Sequence, residues 1–244
     1  MILRKVLAVI PVRFGSTRFP GKPLAVIAGK PMIQRVIEGV RTCRSLERVI
    51  VATDDARIFE IVRALGAEAV MTSPDHASGT DRVAEVAAAN DYPIVISVQG
   101  DEPLVEGWTL DGLAETLQDP GLPMASLMAR ITDMSALSEP HRVKVVVDAS
   151  GNALYFSRAP IPNGASDFFF QHVGIYGYQR DFLLGFRNLP VSRLERTERL
   201  EQLRVLENGY RIRMIEILRP TLSVDVPEDI MKVEKFLNEQ ESHD

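Results

Sequence analysis

Short, continuously apolar runs alternate with helical patterns along the N-terminal part of the chain, and few architectures accept that order. Lys5 to Ile10 (KVLAVI) is brief, β-branched and free of internal polar residues, which predicts a strand buried on both faces. It stops at a proline- and glycine-rich segment, Pro11 to Pro23. Behind Pro31, whose fixed φ suits a first helical turn, Met32, Ile33, Val36, Ile37 and Val40 recur at helical spacing. A strand at Arg48 to Thr53, a helix from Asp55 to Leu65 closed by Gly66, a short strand at Glu68 to Met71, a helix near Asp81 to Ala89 and a strand at Ile94 to Val98 continue the series. Such strands, each followed by a helix, predict an α/β fold with a doubly wound, mostly parallel, Rossmann-like sheet and right-handed crossovers.

After about residue 120 the rhythm changes. Val143 to Val147, Ala153 to Ser157 and Val173 to Tyr178 read as strands and Leu194 to Glu207 as one long helix, which predicts a mixed-sheet lobe in the C-terminal half. A last helix, Pro227 to Leu237, follows Val224-Asp225, read as the end of an extended segment. Ligands of open α/β sheets meet the carboxyl ends of the strands, so the segments after Ile10, Thr53, Val98 and Val224 are expected on one rim.

Composition narrows the partners. With Lys+Arg 28 against Asp+Glu 33 the net charge is −5, opposite to the basic surplus of nucleic-acid and anionic-membrane binders, so small molecules are expected. No uncharged apolar run approaches the roughly 18–20 residues of a membrane span. The run Val6 to Ile10 behind Arg4-Lys5 is too short for a secretory signal. One cysteine, Cys43, in a chain of 244 residues large enough to keep a dry core, agrees with a reducing cytoplasm.

Against this acidic background the loop PVRFGSTRFPGKP (Pro11 to Pro23) gathers Arg13, Arg18 and Lys22 with Ser16, Thr17, Gly15 and Gly21. Cations, hydroxyls and unhindered backbone N–H groups beside a helix start suit a polyphosphate, although the same residues also build ordinary solvated turns. The loop is not a Walker A motif: Gly15 to Gly21 encloses five residues, and Lys22 precedes Pro23 where a hydroxyl residue should hold magnesium. No Gly-x-Gly-x-x-Gly follows Ile10, against a dinucleotide fingerprint. Asp101 ends one strand and Asp225 an extended segment, and carboxylate oxygen is what Mg²⁺ prefers, yet either residue alone reads equally as a cap or turn. Ser78-Gly79-Thr80-Asp81-Arg82 precedes a helix, which Ser78 or Thr80 would cap. The four histidines lack zinc spacing, and no Ser-His-Asp arrangement can be singled out. Tyr155, Phe156 and Phe168 to Phe170 read as packing residues, the last three also as a candidate subunit contact.

PVRFGSTRFPGKPL resembles the N-terminal signature of the nucleotidyltransferases that activate ulosonic acids, most closely the 3-deoxy-manno-octulosonate cytidylyltransferases (CMP-Kdo synthetases). GKPMI, ATD, SGTDR, VQGDEP, ALYFSR, HVGIYGY, LEQLR and VDVPED repeat the match in order over essentially the whole chain. The resemblance implies a single nucleotidyltransferase domain over 1–244, with a nucleotide-binding half (1–120) and a sugar-binding and dimerisation half (121–244), assembled as a homodimer. It implies transfer of CMP from CTP to Kdo with release of pyrophosphate, by in-line attack of the anomeric hydroxyl on the α-phosphorus, in the service of lipopolysaccharide assembly. The catalytic set would be Arg13, Lys22, Asp101 and Asp225, with Mg²⁺ on the two aspartates. Arg13, Ser16, Thr17, Arg18, Lys22, Ser78, Gly79, Thr80, Arg82 and Asp101 would bind nucleotide, and Arg82, Gln99, Tyr155, Arg158, His172, Tyr176, Glu201 and Gln202 the sugar acid. Apart from the resemblance, His172, Tyr176, Glu201 and Gln202 read as sheet and helix-face residues. Val226 stands where the family usually has threonine, which leaves Asp225 in place without a neighbouring hydroxyl. The same chemistry on 8-amino-Kdo, a nonulosonate or a sugar 1-phosphate with another nucleotide remains an alternative, as does a non-catalytic nucleotide-binding regulator on the same fold. No protein general base is identified.

Overall fold

The computed structural model describes residues 3–15 and 19–241. Strand β1 (Val6–Val12) is buried at every position, as its unbroken apolar run requires, and it carries the expected strand on through Pro11 and Val12. β2 (Val26–Ile27) and β3 (Lys30–Pro31) form a small antiparallel ribbon that leads into α1 (Met32–Arg41), whose Met32, Ile33, Val36, Ile37 and Val40 are buried. Then follow β4 (Arg48–Thr53), α2 (Ala56–Ala64), β5 (Glu68–Met71), α3 (Gly79–Ala88) and β6 (Ile94–Ser97). Asp55 caps α2 by accepting from the Arg57 N–H, and Gly66, at φ 67°, takes the left-handed turn after it. α3 starts two residues ahead of the expected position because Ser78 and Asp81 form a capping box.

β4 and β6 flank β1 and β5 lies beyond β4, all in parallel register. The strand order reverses between β1 and β6, and in parallel α/β sheets that point opens a crevice at the carboxyl ends of the strands. The α/β class with a mostly parallel sheet is therefore borne out.

The chain divides into two compact units, Lys5–Asp111 with the segment from Thr221 onward, and Gly112–Pro220 with the residues before Lys5. The boundary falls between Asp111 and Gly112, and the chain end groups with the N-terminal part. Val224 and Val233 are fully buried with Ile27 and Met32, and Leu222, Ile230 and Leu237 pack around them. The expected strand end at Val224-Asp225 is irregular chain: the Val224 N–H donates to the Asp101 carbonyl (2.9 Å) instead of joining a ladder. The last helix is Asp229–Glu241, two residues later than expected, because Asp229 Oδ2 accepts from the N–H groups of Asp225 (3.0 Å) and Val226 (3.1 Å) and so shapes the turn before it. Helix α4 (Gly107–Thr116) begins where a Cβ on Gly107 would stand 2.1 Å from the Cys43 nitrogen.

In the second unit β7 (Met124–Ile131) pairs antiparallel with β10 (Phe169–Gln179) and parallel with β11 (Ile212–Ile217). β8 (Lys144–Val147) pairs antiparallel with both β9 (Ala153–Ser157) and β10. The sheet is mixed, as expected. α5 (Arg180–Phe186) follows β10. The single helix expected over Leu194 to Glu207 is two, α6 (Arg193–Glu198) and α7 (Gln202–Glu207). Arg199 between them is left-handed (φ 56°, ψ 47°); the turn buries Leu200 and Leu203, whereas α6 buries nothing. Among the described residues no helix is long and apolar enough to cross a membrane.

Candidate functional site

The crevice predicted by the strand order is a cavity of about 250 Å³ in the N-terminal unit. Pro11, Val12 and Arg13 reach it from the end of β1, Gln99, Gly100 and Asp101 from the end of β6, His76, Ser78, Gly79 and Arg82 from the start of α3, and Lys22 from the loop after β1. Seven of the expected residues, Arg13, Lys22, Ser78, Gly79, Arg82, Gln99 and Asp101, thus meet in one place. Ser16, Thr17 and Arg18 lie outside the described residues. Thr80 is buried in the first turn of α3 and is not among the lining groups, and neither is Asp225.

Glycine makes the approach feasible at two points. Gly21 is left-handed (φ 72°), and a Cβ there would press on the Phe14 ring at 3.2 Å. A Cβ on Gly100 would stand 2.1 Å from Val12 Cγ1, so only glycine lets the β6 loop lie against the end of β1.

The charges are distributed unequally. Arg13 is exposed and has no hydrogen bond or ion pair among the described residues, which leaves its guanidinium available to an anion. Lys22 Nζ, on a side chain 14% exposed, donates to Asp101 Oδ2 (2.6 Å) and to the Val224 carbonyl (2.9 Å), and so ties the β6 loop to the C-terminal segment. Arg82 lines the cavity with its guanidinium already engaged. It is buried, and its two terminal nitrogens donate to Thr72 Oγ1 and to Asp54 Oδ2 (2.7 Å), so it braces the floor of the cavity.

Two groups here have no signal in the sequence beyond their neighbours. His76 borders the cavity with Nε2 in close contact with Glu85 Oε2, which also accepts from the Ser73 N–H (3.1 Å). Glu102 is buried, and burial, followed by the charge of Asp101, pushes its carboxyl up to about 8; Asp225 adds in the same direction. Among the described residues Glu102 Oε2 has no hydrogen-bond partner. Among the described residues no group of three His, Cys, Asp or Glu side chains could hold a metal ion unaided.

The remaining expected residues lie in the second unit and form two groups. His172 Nε2 is 2.9 Å from Ser126 Oγ, with Phe156 edge-on at 5.0 Å, and burial pushes the imidazole down to about 3, so it stays neutral. The Tyr176 ring is 5.5 Å from it, and burial, then the charge of Glu201, raises the phenol, which keeps its proton. Gln202 is buried, with Oε1 3.5 Å from the Tyr176 hydroxyl and Nε2 unbonded among the described residues. A buried amide donor without a partner costs about 1–3 kcal/mol, a deficit that an oxygen-rich ligand can remove. Glu201 stands at the N-terminus of α7 beside it. Tyr155 and Arg158 form the second group, both bound to Glu198.

The family model described as cytidylyltransferase matches residues 7–215. The chain belongs to the cytidylyltransferase family. Among cytidylyltransferases similar to it, the 3-deoxy-manno-octulosonate cytidylyltransferase of Syntrophotalea carbinolica is 49% identical over 95% of this chain and 98% of its own length. That of Solibacter usitatus is 51% identical over 96% and 94%. A solved CMP:2-keto-3-deoxy-manno-octonic acid synthetase complexed with CTP matches with a TM-score of 0.92 at 43% identity, covering 97% of this chain and 99% of that one. A 4-diphosphocytidyl-2C-methyl-D-erythritol synthase of Anaerococcus prevotii, at 12% identity and a TM-score of 0.69, shares the fold.

Proposed function

We propose that this protein transfers CMP from CTP to 3-deoxy-D-manno-octulosonate, with release of pyrophosphate. The observation that carries the reading is the near-full-length likeness to relatives named for this one activity. The anomeric hydroxyl of the sugar attacks the α-phosphorus, the bond to the β-phosphate oxygen breaks, and the electron pair leaves on pyrophosphate. Charge and positioning do most of this work. Arg13 meets the triphosphate and offsets the charge that gathers on the departing group. Lys22 exchanges Asp101 for a phosphate oxygen when the nucleotide enters, and Ser78 and Gly79 bring backbone close to the base.

Asp101 and Asp225 are the residues that would hold Mg²⁺. The donor set fits: Mg²⁺ is usually bound by one or two carboxylates with substrate phosphates completing the shell, and Asp101 already holds a cationic group, the Lys22 ammonium. When bound, the ion supplies positive charge to the phosphate and lowers the pKa of the attacking hydroxyl. Arg158 takes the sugar carboxylate, and Gln202 Nε2, Tyr176 and neutral His172 take its hydroxyls. The reading includes a homodimer in the cytoplasm.

The test is release of pyrophosphate from each of the four nucleoside triphosphates against a panel of sugar acids, with Mg²⁺ and after chelation. CTP with 3-deoxy-D-manno-octulosonate and Mg²⁺ is expected to give the highest kcat/KM. Preference for 8-amino-Kdo or a nonulosonate would change the substrate, and nucleotide binding without pyrophosphate release would leave a regulator. Asp101→Asn is expected to lower kcat by about 100-fold or more with the fold intact; near-wild-type turnover would remove the metal assignment.

A further inference from the structure

Arg158 is anchored at four polar atoms. Its backbone N–H donates to Glu198 Oε2 (2.9 Å) and its Nε to the Glu198 carbonyl (2.9 Å). Nη1 donates to the Pro140 carbonyl (3.2 Å), and the Arg158 carbonyl accepts from Lys144 Nζ (2.6 Å). Lys144 is fully buried, and its ammonium also binds the carbonyls of Arg142 (2.7 Å) and Glu139 (3.0 Å), so the backbone at Arg158 is pinned from beneath. Glu198 Oε1 accepts from Ser157 Oγ (2.7 Å) and Tyr155 OH (3.3 Å), which joins the whole end of β9 to one carboxylate.

The local fold explains why Glu198 can do this. It is the last residue of α6, where helix carbonyls lack the partner that a longer helix would supply, and the left-handed Arg199 turns the chain away directly behind it. The Glu198 carbonyl is therefore open to a side-chain donor, and a guanidinium suits a helix C-terminus in charge as well as in geometry.

What is left of the guanidinium is its outer edge. Of five N–H donors, Nε and one on Nη1 are used; the two on Nη2 and the second on Nη1 take no hydrogen bond among the described residues. That edge matches the two oxygens of a carboxylate with parallel hydrogen bonds. An arginine already held has little rotamer freedom left to lose on binding.

We propose that Glu198 is the positioning residue of Arg158, and that its carboxylate, by holding the Arg158 backbone N–H beside the main-chain carbonyl that takes Nε, sets the affinity for the carboxylate of the sugar acid. This rests on the reading of Arg158 as the carboxylate site given above.

A double-mutant cycle on the full chain, read as separate KM values for sugar acid and CTP, tests it. Glu198→Ala is expected to raise the KM for the sugar acid by about tenfold and that for CTP by less than about twofold, the former corresponding to loss of one charge-assisted contact. In an Arg158→Ala background the same change is expected to move the sugar KM by less than about twofold, since nothing remains to be positioned. Glu198→Gln keeps one acceptor oxygen, so an intermediate rise is expected; it carries the same cycle if the alanine variant does not fold. A tenfold rise that persists without Arg158, or a CTP KM that rises in step, overturns the proposal in favour of a general packing role. An Arg158→Ala enzyme with an unchanged sugar KM brings down the carboxylate reading itself, and this inference with it.

Discussion

His172 should make the protein less stable in acid by an amount that follows from its burial. The imidazole is held by Ser126 and Phe156, and its pKa is pushed from the ordinary 6.5 down to about 3. The unfolded chain protonates this group below about pH 6.5, whereas the folded chain keeps it neutral, so the unfolded state binds more protons. Its contribution is full above that pH and is lost progressively as the pH falls toward the folded-state value. From about pH 7 to about pH 4.5 the loss is about 2–3 kcal/mol, one proton's worth of differential binding over the two pH units below the unfolded-state pKa. Because the folded-state value lies more than a unit below the lower pH, the unfolded side alone fixes that figure. Carboxylates titrate over the same range, so the quantity to measure is the difference between wild type and His172→Gln, whose amide has no proton to gain. Urea unfolding followed by circular dichroism at both pH values gives it. The wild type is expected to lose about 2–3 kcal/mol more than the variant. Equal losses would mean that the folded protein already carries a charged imidazole, and the reasoning would fail.

Lys22→Met removes the ammonium from the cavity; the KM for CTP is expected to rise by about tenfold or more while that for the sugar acid stays within about threefold, and steady-state kinetics showing no change in either would take Lys22 out of the triphosphate site. Arg199→Gly relieves a left-handed residue, so the melting temperature is expected to rise by about 2–4 °C for roughly 1 kcal/mol gained, and calorimetry that finds a fall would show that the Arg199 side chain outweighs its backbone cost. Gly107→Ala puts a methyl group 2.1 Å from the Cys43 nitrogen, against backbone that cannot rotate away. It is expected to cost about 3 kcal/mol or more in chemical denaturation, and a loss under about 0.5 kcal/mol would mean that α4 can shift.

The central strands β1, β4 and β6 are legible because a strand covered on both faces must be apolar throughout, and few other segments of this chain have that texture. Elements that depend on distant partners are less so. β7 (MASLMARI) is full of helix formers and becomes a strand by pairing with β10 and β11, which are far from it in sequence. The break at Arg199 carries neither glycine nor proline to mark it. In the site, glycine and cation spacing around Lys22 and the hydroxyl cap at Ser78 are visible as local patterns, and the structure gathers them. Glu198 is 41 positions from Ser157, so its role exists only once the fold has joined them. The anchoring of Arg82 depends on Asp54, 28 positions earlier, whose carboxylate engages the guanidinium.

The docking of Val224 against Lys22 and Asp101 places the completion of the cavity at the switch point late in protein synthesis. Asp101 and Lys22 leave the ribosome early, but the carbonyl and N–H that brace them arrive more than a hundred residues afterwards, together with Val233, which covers Ile27 and Met32. A message cut short before Thr221 therefore yields a chain that has the loop of cations but lacks the strut that braces Lys22 and Asp101, so a truncated product leaves the cavity unfinished.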